Sequence, residues 1–497
     1  MKKYDVVIVG SGLGGLICGL MLSKEGKKVC VLEKHFQIGG CLQTFKRKGK
    51  IFDTGMHYVG SYDEGQILNK YFKYFGLKDR IKIKKLNEDA FDIIHFEGKD
   101  YKYAMGYENF IDTLSKDFPE EREGIIKYAK KLQEVKDSLD LYNLRELNEM
   151  NFVESEYITQ NTFDFIASCT KNKKLQNVLA GLNSLYAGIP KKTPLYLHAL
   201  INNFFIESAY RFVDGSDKLA LELEKLIREH GGEVITGKEV VKFAFDEDAL
   251  THVETSDGDK IYGNNFISDI HPVLTLEMCD TKKIRKSFRN RINDLDNTLS
   301  VFSLYAVLKE NSFPYLNYNY YYADTDSIWL ADHYKAGEPF NGYMLFTPAS
   351  SKSDEWAESF TAIAYMSIDD VKEWEDTHVE KRGDAYLQFK ERKANELLDL
   401  IEKRFPGIRN HIDTIYTSTP LTYRDYTGTI DGSLYGVMKD CNDPAASYIA
   451  PKTKVPNLFL TGQNINLHGI LGVTIGALLT CGALVGVNHL IRKINNV

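Results

Sequence analysis

The chain predicts an α/β fold, a parallel doubly wound sheet whose domain is interwoven with a second, α+β domain. Three observations point there. An apolar strand, a glycine-rich loop, a helix and a second strand follow one another at the N-terminus. A helix–strand unit begins near residue 217, and a short strand, a glycine and an apolar helix lie at 455–485. Two long stretches of different texture separate these units, so both domains are expected to be discontinuous. At 497 residues, 43% hydrophobic and 26% charged, the composition is that of a soluble globular protein with two or more domains. A net charge of −7 gives no reason to expect nucleic acid as a partner. The seven cysteines are scattered without CxxC or zinc-ligand spacing. Neither a disulfide framework nor a metal site is therefore expected, and a reducing, cytoplasmic setting is the default.

The first element, YDVVIVG, reads as a buried strand over Val6 to Val9 ending in glycine. Gly10-Ser-Gly12-Leu-Gly14-Gly15 follows, then an apolar helical stretch to Glu25 closed by Gly26. A second strand, KVCVLEK, runs into Glu33. Strand, GxGxxG, helix, strand and acid within about thirty residues form a Rossmann-like dinucleotide fingerprint. Gly10 permits the tight turn, Gly12 lets the backbone approach a pyrophosphate, and Gly15 lets helix and strand pack closely. The helix N-terminus offers free N–H groups to the phosphates, and Glu33 would accept hydrogen bonds from a ribose. The apolar N-terminus superficially suggests a secretory signal, but Asp5 interrupts it and the glycines give it another role.

Next comes HFQIGGCLQTF, with Gly39-Gly40 six and seven residues beyond Glu33, and then GKIFDTGMHYVG at 49–60. This run resembles the FAD-binding amine-oxidase and phytoene-desaturase superfamily. More narrowly, GGCLQTF with FDTGMHYVG is similar to the branch that contains carotenoid isomerases and retinol saturases. The resemblance is strong over 1–75 and 430–497, moderate over 205–275, and in outline elsewhere. Many members carry Arg after the second glycine, where this chain has Cys41. A redox role for Cys41 would need a second cysteine about five residues on, and Lys46 stands there.

Residues 76–210 alternate charged helical stretches with aromatic ones and suggest a largely helical region lining something apolar. VDGSDKLALELEKLIREHGGEV is a clear helix: Ser216 or Asp217 can cap it, Leu219, Leu223 and Ile227 share a face, and Gly231 stops it. Strands follow in EVITGKEVVKFAF, in THVETSDGDKIYG with its Asp-Gly turn at 257–258, and in NNFISDI. The resemblance places a backbone valine near adenine here, Val240 or Val241. Residues 291–415 form the second excursion, with aromatic sheet in YLNYNYYYADTDSIWL and a long helix ending near Pro406.

VPNLFLTGQN is a short strand, Leu458 to Leu460, followed by Gly462. The family places an acid after that glycine to bind the flavin ribityl chain; Gln463 stands there instead. The next helix in the family points its N-terminus at the pyrimidine edge of the isoalloxazine, where reduced flavin carries negative charge. Gly472, Val473 and Thr474 match that turn. His468 to Val487 carries no formal charge and is about long enough for one membrane span. Five glycines from Gly469 to Gly486 and the strand–turn start favour burial instead.

The resemblance thus implies a Rossmann-like FAD-binding domain of the glutathione-reductase-2 type at 1–75, 205–290 and 430–497. The substrate domain falls at 76–204 and 291–429. It implies FAD as cofactor, held by Gly10, Gly12, Gly14, Gly15, Glu33, Lys34, Gly40, Cys41, Val241, Gly462, Gln463 and Val473, and no metal. His57 is the residue expected at the flavin's active face, with Tyr58, Asp53, Tyr426 and His468 behind it. The implied reaction is saturation, desaturation or cis–trans isomerisation of C=C bonds in a lipophilic, carotenoid- or retinoid-like polyene. Peripheral membrane contact and the external electron partner stay open. Two other readings fit the same fold: an oxidase of smaller amines, and a non-enzymatic prenyl-binding escort protein.

Overall fold

A computed structural model describes residues 3–147, 156–247 and 249–497. One half is organised on a seven-stranded sheet whose five parallel strands are β1 (Lys3–Val9), β2 (Val29–Leu32), β3 (Glu233–Ile235), β4 (Lys260–Ser268) and β5 (Leu458–Leu460), extended by the antiparallel strands Ala249–Thr255 and Val240–Asp246. The order is β3-β2-β1-β4-β5, with Val6 opposite Val29 and Asn265, and Phe266 opposite Leu458. Successive residues of β1 serve two cores. Val6 and Ile8 pack with α1 (Leu13–Lys24), α2 (Asp217–Glu229) and α3 (Gly469–Val485). Val7 and Val9 pack with Phe243, Val253 and Leu276 on the other face. Both faces are covered, which is why the strand reads as a continuous apolar run.

α1 and α3 lie against each other on one side of this sheet. Ten of the twelve residues of α1 are buried, and so is most of α3 from Ile470 to Cys481. Cys481 Sγ lies 3.8 Å from the Cys18 carbonyl and Cys18 Sγ 3.6 Å from Thr461 Oγ1. The charge-free stretch is thus an internal helix. Among the described residues no helix is long and apolar enough to cross a membrane.

The second half is built on a seven-stranded sheet in the order 412–418, 300–308, 359–366, 342–346, 319–323, 92–96, 99–103. All its pairs are antiparallel except Asn319–Ala323 with Asp92–Phe96. Alternation again divides it. Phe302, Leu304, Leu345 and Phe360 pack on the helix Asp384–Glu402, while Val301, Tyr321, Phe346 and Tyr365 face the core shared with the nucleotide half. A small sheet of Val59–Gly60, Ala209–Phe212 and Ile83–Lys85 ties the halves together.

Three local expectations change. Residues 76–210 are not only helical, because the hairpin Asp92–Phe96/Lys99–Tyr103 joins the second sheet. Glu97 and Gly98 both have positive φ, the two-residue turn that matches strand twist. KIYG and NNFIS are one strand, β4, whose first residues pair with Ala249–Thr255 and whose remainder pairs with β1 and β5. Ser216 sits at the N-cap of α2 but its hydroxyl does not cap. Its Oγ goes to the Leu42 carbonyl and its N–H to Asp53 Oδ1 at 2.7 Å.

Candidate cofactor and substrate site

The loops after β1, β4 and β5 converge at the start of α1. Gly10 has φ +98°, so the turn needs glycine. A Cβ at Gly15 would collide with the Gly10 carbonyl oxygen, and one at Gly14 would lie 2.9 Å from the Gly462 amide nitrogen. The second glycine pair closes over the first: Gly12 bridges Gly39, and Gly39 N–H donates to the Ser11 carbonyl at 2.9 Å. Gly40, with φ +54°, has the Gly12 Cα 3.3 Å from where its Cβ would be. Gly10, Gly12, Gly14, Gly15, Gly40 and Gly462 therefore come together as one two-sided glycine cradle. Nothing caps the first turn of α1 through a side chain, so its leading N–H groups lack intrahelical acceptors.

Glu33 ends β2 beside this cradle. Ser11 gives it two hydrogen bonds, from N at 3.1 Å and Oγ at 2.5 Å, and His35 N–H donates to its other oxygen at 2.9 Å. The carboxylate is thus held in one orientation with acceptor capacity to spare for hydroxyl donors. Gly237 and Lys238 bind the His35 and Glu33 carbonyls through their N–H groups. Val241 lies three residues beyond and is 48% exposed, whereas Val240 is buried. Lys34 is exposed. Burial, with Asp269 nearby, pushes the Cys41 thiol up to about 11, so it stays an un-ionised, poor nucleophile.

α3 supplies the second helix N-terminus. His468 precedes it without capping, and Gly472 fits against Leu467 where a Cβ would be 2.7 Å from the Leu467 oxygen. Val473 is buried in this turn, and Gln463 is half-buried at the end of β5. Residues 467–472 form one wall of an apolar cleft of about 1340 Å³, with Gly55 to Tyr58 beside them and second-sheet aromatics opposite.

Polar groups in this cleft are mostly occupied. Tyr365 and Tyr435 both donate to the Ser184 carbonyl, at 3.2 and 2.9 Å. His468 Nε2 is 2.8 Å from the Leu185 carbonyl and must carry the proton there, and its ring lies tilted against Tyr435. Burial holds His468 down to about 4 and His57 down to about 3, so both are neutral imidazoles at ordinary pH. His57 lines the cleft as expected, its ring against Phe346 and its Nδ1 without a partner. Two weaker candidates lie elsewhere. Tyr426 is 42% exposed and stacks on His35, and Asp53 is spent on the Ser216 N–H.

Behind the cleft wall lies a buried network that local sequence gave no sign of. Tyr58 Oη donates to Asp92 Oδ2 at 2.9 Å and is 2.8 Å from Tyr321 Oη. Asn319 donates to Asp92 Oδ1 at 2.7 Å and accepts from Arg211, also at 2.7 Å. Burial pushes the Asp92 carboxyl up to about 7 against the pull of Asn319, Tyr58 and Arg211. Burial also raises both tyrosines well above their ordinary range.

Comparison with known proteins now bears on this geometry. The family described as flavin containing amine oxidoreductases matches residues 13–293, more than half of the chain. The chain belongs to that family. An all-trans-retinol 13,14-reductase of Danio rerio is 28% identical over 97% of this chain and 86% of its own length. A chloroplastic prolycopene isomerase of Daucus carota is 23% identical over 88% and 72%. A solved putrescine oxidase bound to putrescine superposes on all of both chains with TM-score 0.62 at 12% identity, a likeness of fold.

As a flavin-containing oxidoreductase the protein uses FAD, and its residues fit that cofactor. Uncapped helix N-termini stand at both ends of the glycine cradle, and a fixed carboxylate stands at the β2 end. When bound, FAD supplies the redox chemistry. The chain's own part is to hold it between α1 and α3 and to shape the apolar cleft. Among the described residues no cluster could hold a metal.

Proposed function

We propose that this oxidoreductase acts on C=C bonds of a lipophilic polyene, carotenoid- or retinoid-like, with saturation as its main reaction. The relatives named for all-trans-retinol reduction and prolycopene isomerisation support the substrate class. One observation supports saturation over isomerisation. Saturation consumes a hydride and a proton, whereas isomerisation has no net need of either. Tyr58 and Tyr321 line the cleft, the Tyr321 hydroxyl on that of Tyr58 and the Tyr58 hydroxyl on Asp92, so a proton is stored at the wall and can be replaced through Tyr58 from the carboxyl behind it. The apolar wall excludes water, and neutral His57 orients substrate through its unpartnered Nδ1 without acting as an acid. An amine oxidase is disfavoured because no carboxylate lines the described cleft to meet a cationic substrate.

The test is anaerobic. Purified protein should carry flavin bands near one per chain. After reduction it should convert added all-trans-retinol to a product absorbing at shorter wavelength, with one C=C fewer by mass. A product of unchanged mass would move the assignment to isomerisation, and peroxide release from amines with no polyene product would overturn it.

We also propose peripheral membrane contact from a cytoplasmic location. Phe36 (85% exposed), Leu387 (60%) and Tyr426 ring a second cleft that includes Arg47 and Lys390, an apolar rim with basic neighbours suited to an anionic interface. Phe36→Asp with Leu387→Asp should abolish co-sedimentation with phosphatidylserine vesicles while flavin content holds. Undiminished binding of that variant would refute it.

A further inference from the structure

Asp269 follows the end of β4, the strand between β1 and β5, so the glycine loops of both neighbours close over its side chain. A Cβ at Gly12, Gly14 or Gly462 would stand 2.6, 2.5 or 2.7 Å from one of its carboxylate oxygens, and one at Gly15 3.0 Å. These glycines are therefore required partly by Asp269, which fills the space beneath the first turn of α1. Its Oδ2 is shut off from solvent and makes no hydrogen bond of good geometry, although the Gly12 and Gly15 amides lie near enough to the carboxyl to favour its charged form. A carboxylate there would share the cradle with the Glu33 carboxylate and with a pyrophosphate that carries two more negative charges. An ionised oxygen so placed would oppose the charge that the helix N-terminus attracts.

We propose that Asp269 is a cofactor-binding residue that works as a neutral carboxylic acid, joining the two glycine loops from beneath and presenting an O–H, not a charge, to the pyrophosphate of FAD. The ionisable groups that face it fit this role. Burial, with repulsion from Glu33, pushes the Asp269 carboxyl up to about 8 against the pull of the Gly15 and Gly12 amides. Cys41, from the loop after β2, stays a thiol. The first turn of α1 and the loop 461–464 bring no ionisable side chain, and His271, two residues on, turns to Asn297 at 3.0 Å. FAD adds negative charge, so it raises the Asp269 pKa further, and binding takes up a proton wherever free Asp269 is ionised. Affinity is then constant below about pH 8 and falls by up to tenfold per pH unit above it.

The readout is FAD retention, not turnover. Diluted holoprotein is equilibrated from pH 6 to 9 and the freed FAD is measured after ultrafiltration. Wild type should show a flat Kd up to about pH 8 and a clear rise by pH 9. Asp269→Asn, which keeps the shape without the titration, should hold FAD with a flat profile throughout. A wild-type Kd equal at pH 6 and 9, or the same rise in Asp269→Asn, would overturn the proposal. If that variant does not fold, wild type decides. The rise in Tm given by excess FAD should shrink between pH 7 and 9, and an undiminished rise would also overturn it.

Discussion

α1 and α3 are alike in most of what a sequence records. Both are apolar, studded with glycine, buried nearly all round, and begin without a side-chain cap. Their first turns face different chemistry. α1 opens on Ser11, Glu33 and Asp269, a crowd of oxygens beside which the pyrophosphate of FAD would lie. α3 opens on an apolar cleft where burial keeps both nearby histidines neutral. The same helix dipole is used twice. At α1 it would meet a charge that is always there; at α3, with FAD held as the family resemblance implies, it would meet a charge that belongs to one redox state only, and ionised neighbours would blur that distinction.

Substitution at the two turns gives the largest expected contrast. Gly15→Val forces a side chain into the Gly10 carbonyl and should abolish flavin content outright. Gly472→Val displaces α3 from Leu467; it should leave most FAD bound while lowering turnover at least about 100-fold, as expected when charge stabilisation at one turn is lost. Equal loss of flavin in both variants would erase the difference. Measuring flavin absorbance per protein beside turnover decides this.

The proton network sharpens the contrast from the cleft side. Tyr321→Phe and Asp92→Asn should each lower saturation by about 100-fold, the scale of one positioned acid, with FAD retained and any isomerisation of the same polyene little changed. Parallel loss of both reactions would show that the network only shapes the cleft.

A smaller effect follows from Asp92 in the folded and unfolded chain. Its carboxyl is raised to about 7 when folded and is near 3.9 when unfolded. The unfolded state therefore releases the proton first. The stabilising share of neutral Asp92 is complete below about pH 4 and is lost as pH rises toward 7. The Tm of wild type relative to Asp92→Asn should fall by a few degrees between pH 5 and 8. A difference that grows with pH would contradict the assigned direction.

Legibility in the sequence followed the reach of each interaction. The glycine cradle, Glu33, β5 and the start of α3 were readable because turns and helix starts are local. The internal fate of 468–487 was readable from its glycines. The missing second cysteine argues against a redox Cys41, and its raised thiol adds a second reason. The hairpin at 92–103 carried a signal in Glu97-Gly98 that helical periodicity around it obscured. Asp92, Asn319, Arg211 and Tyr321 come from widely separated segments and meet only through the second sheet, so no spacing rule reveals them. Asp269 lay in plain view in ISDI, but its importance comes from three loops closing over one side chain.

β5 joins the sheet through β4, which it follows by about 190 residues, and that distance makes the sheet a slow, non-local construction. A nascent chain would carry β4 with an unpaired edge through more than a third of its synthesis, while the second sheet is being assembled. Cofactor capture then becomes the last event of folding, and a ribosome-bound intermediate with an open strand edge is the form most exposed to aggregation. Yield of this flavoprotein should accordingly depend on how long that edge stays unpaired at least as much as on the stability of the finished fold.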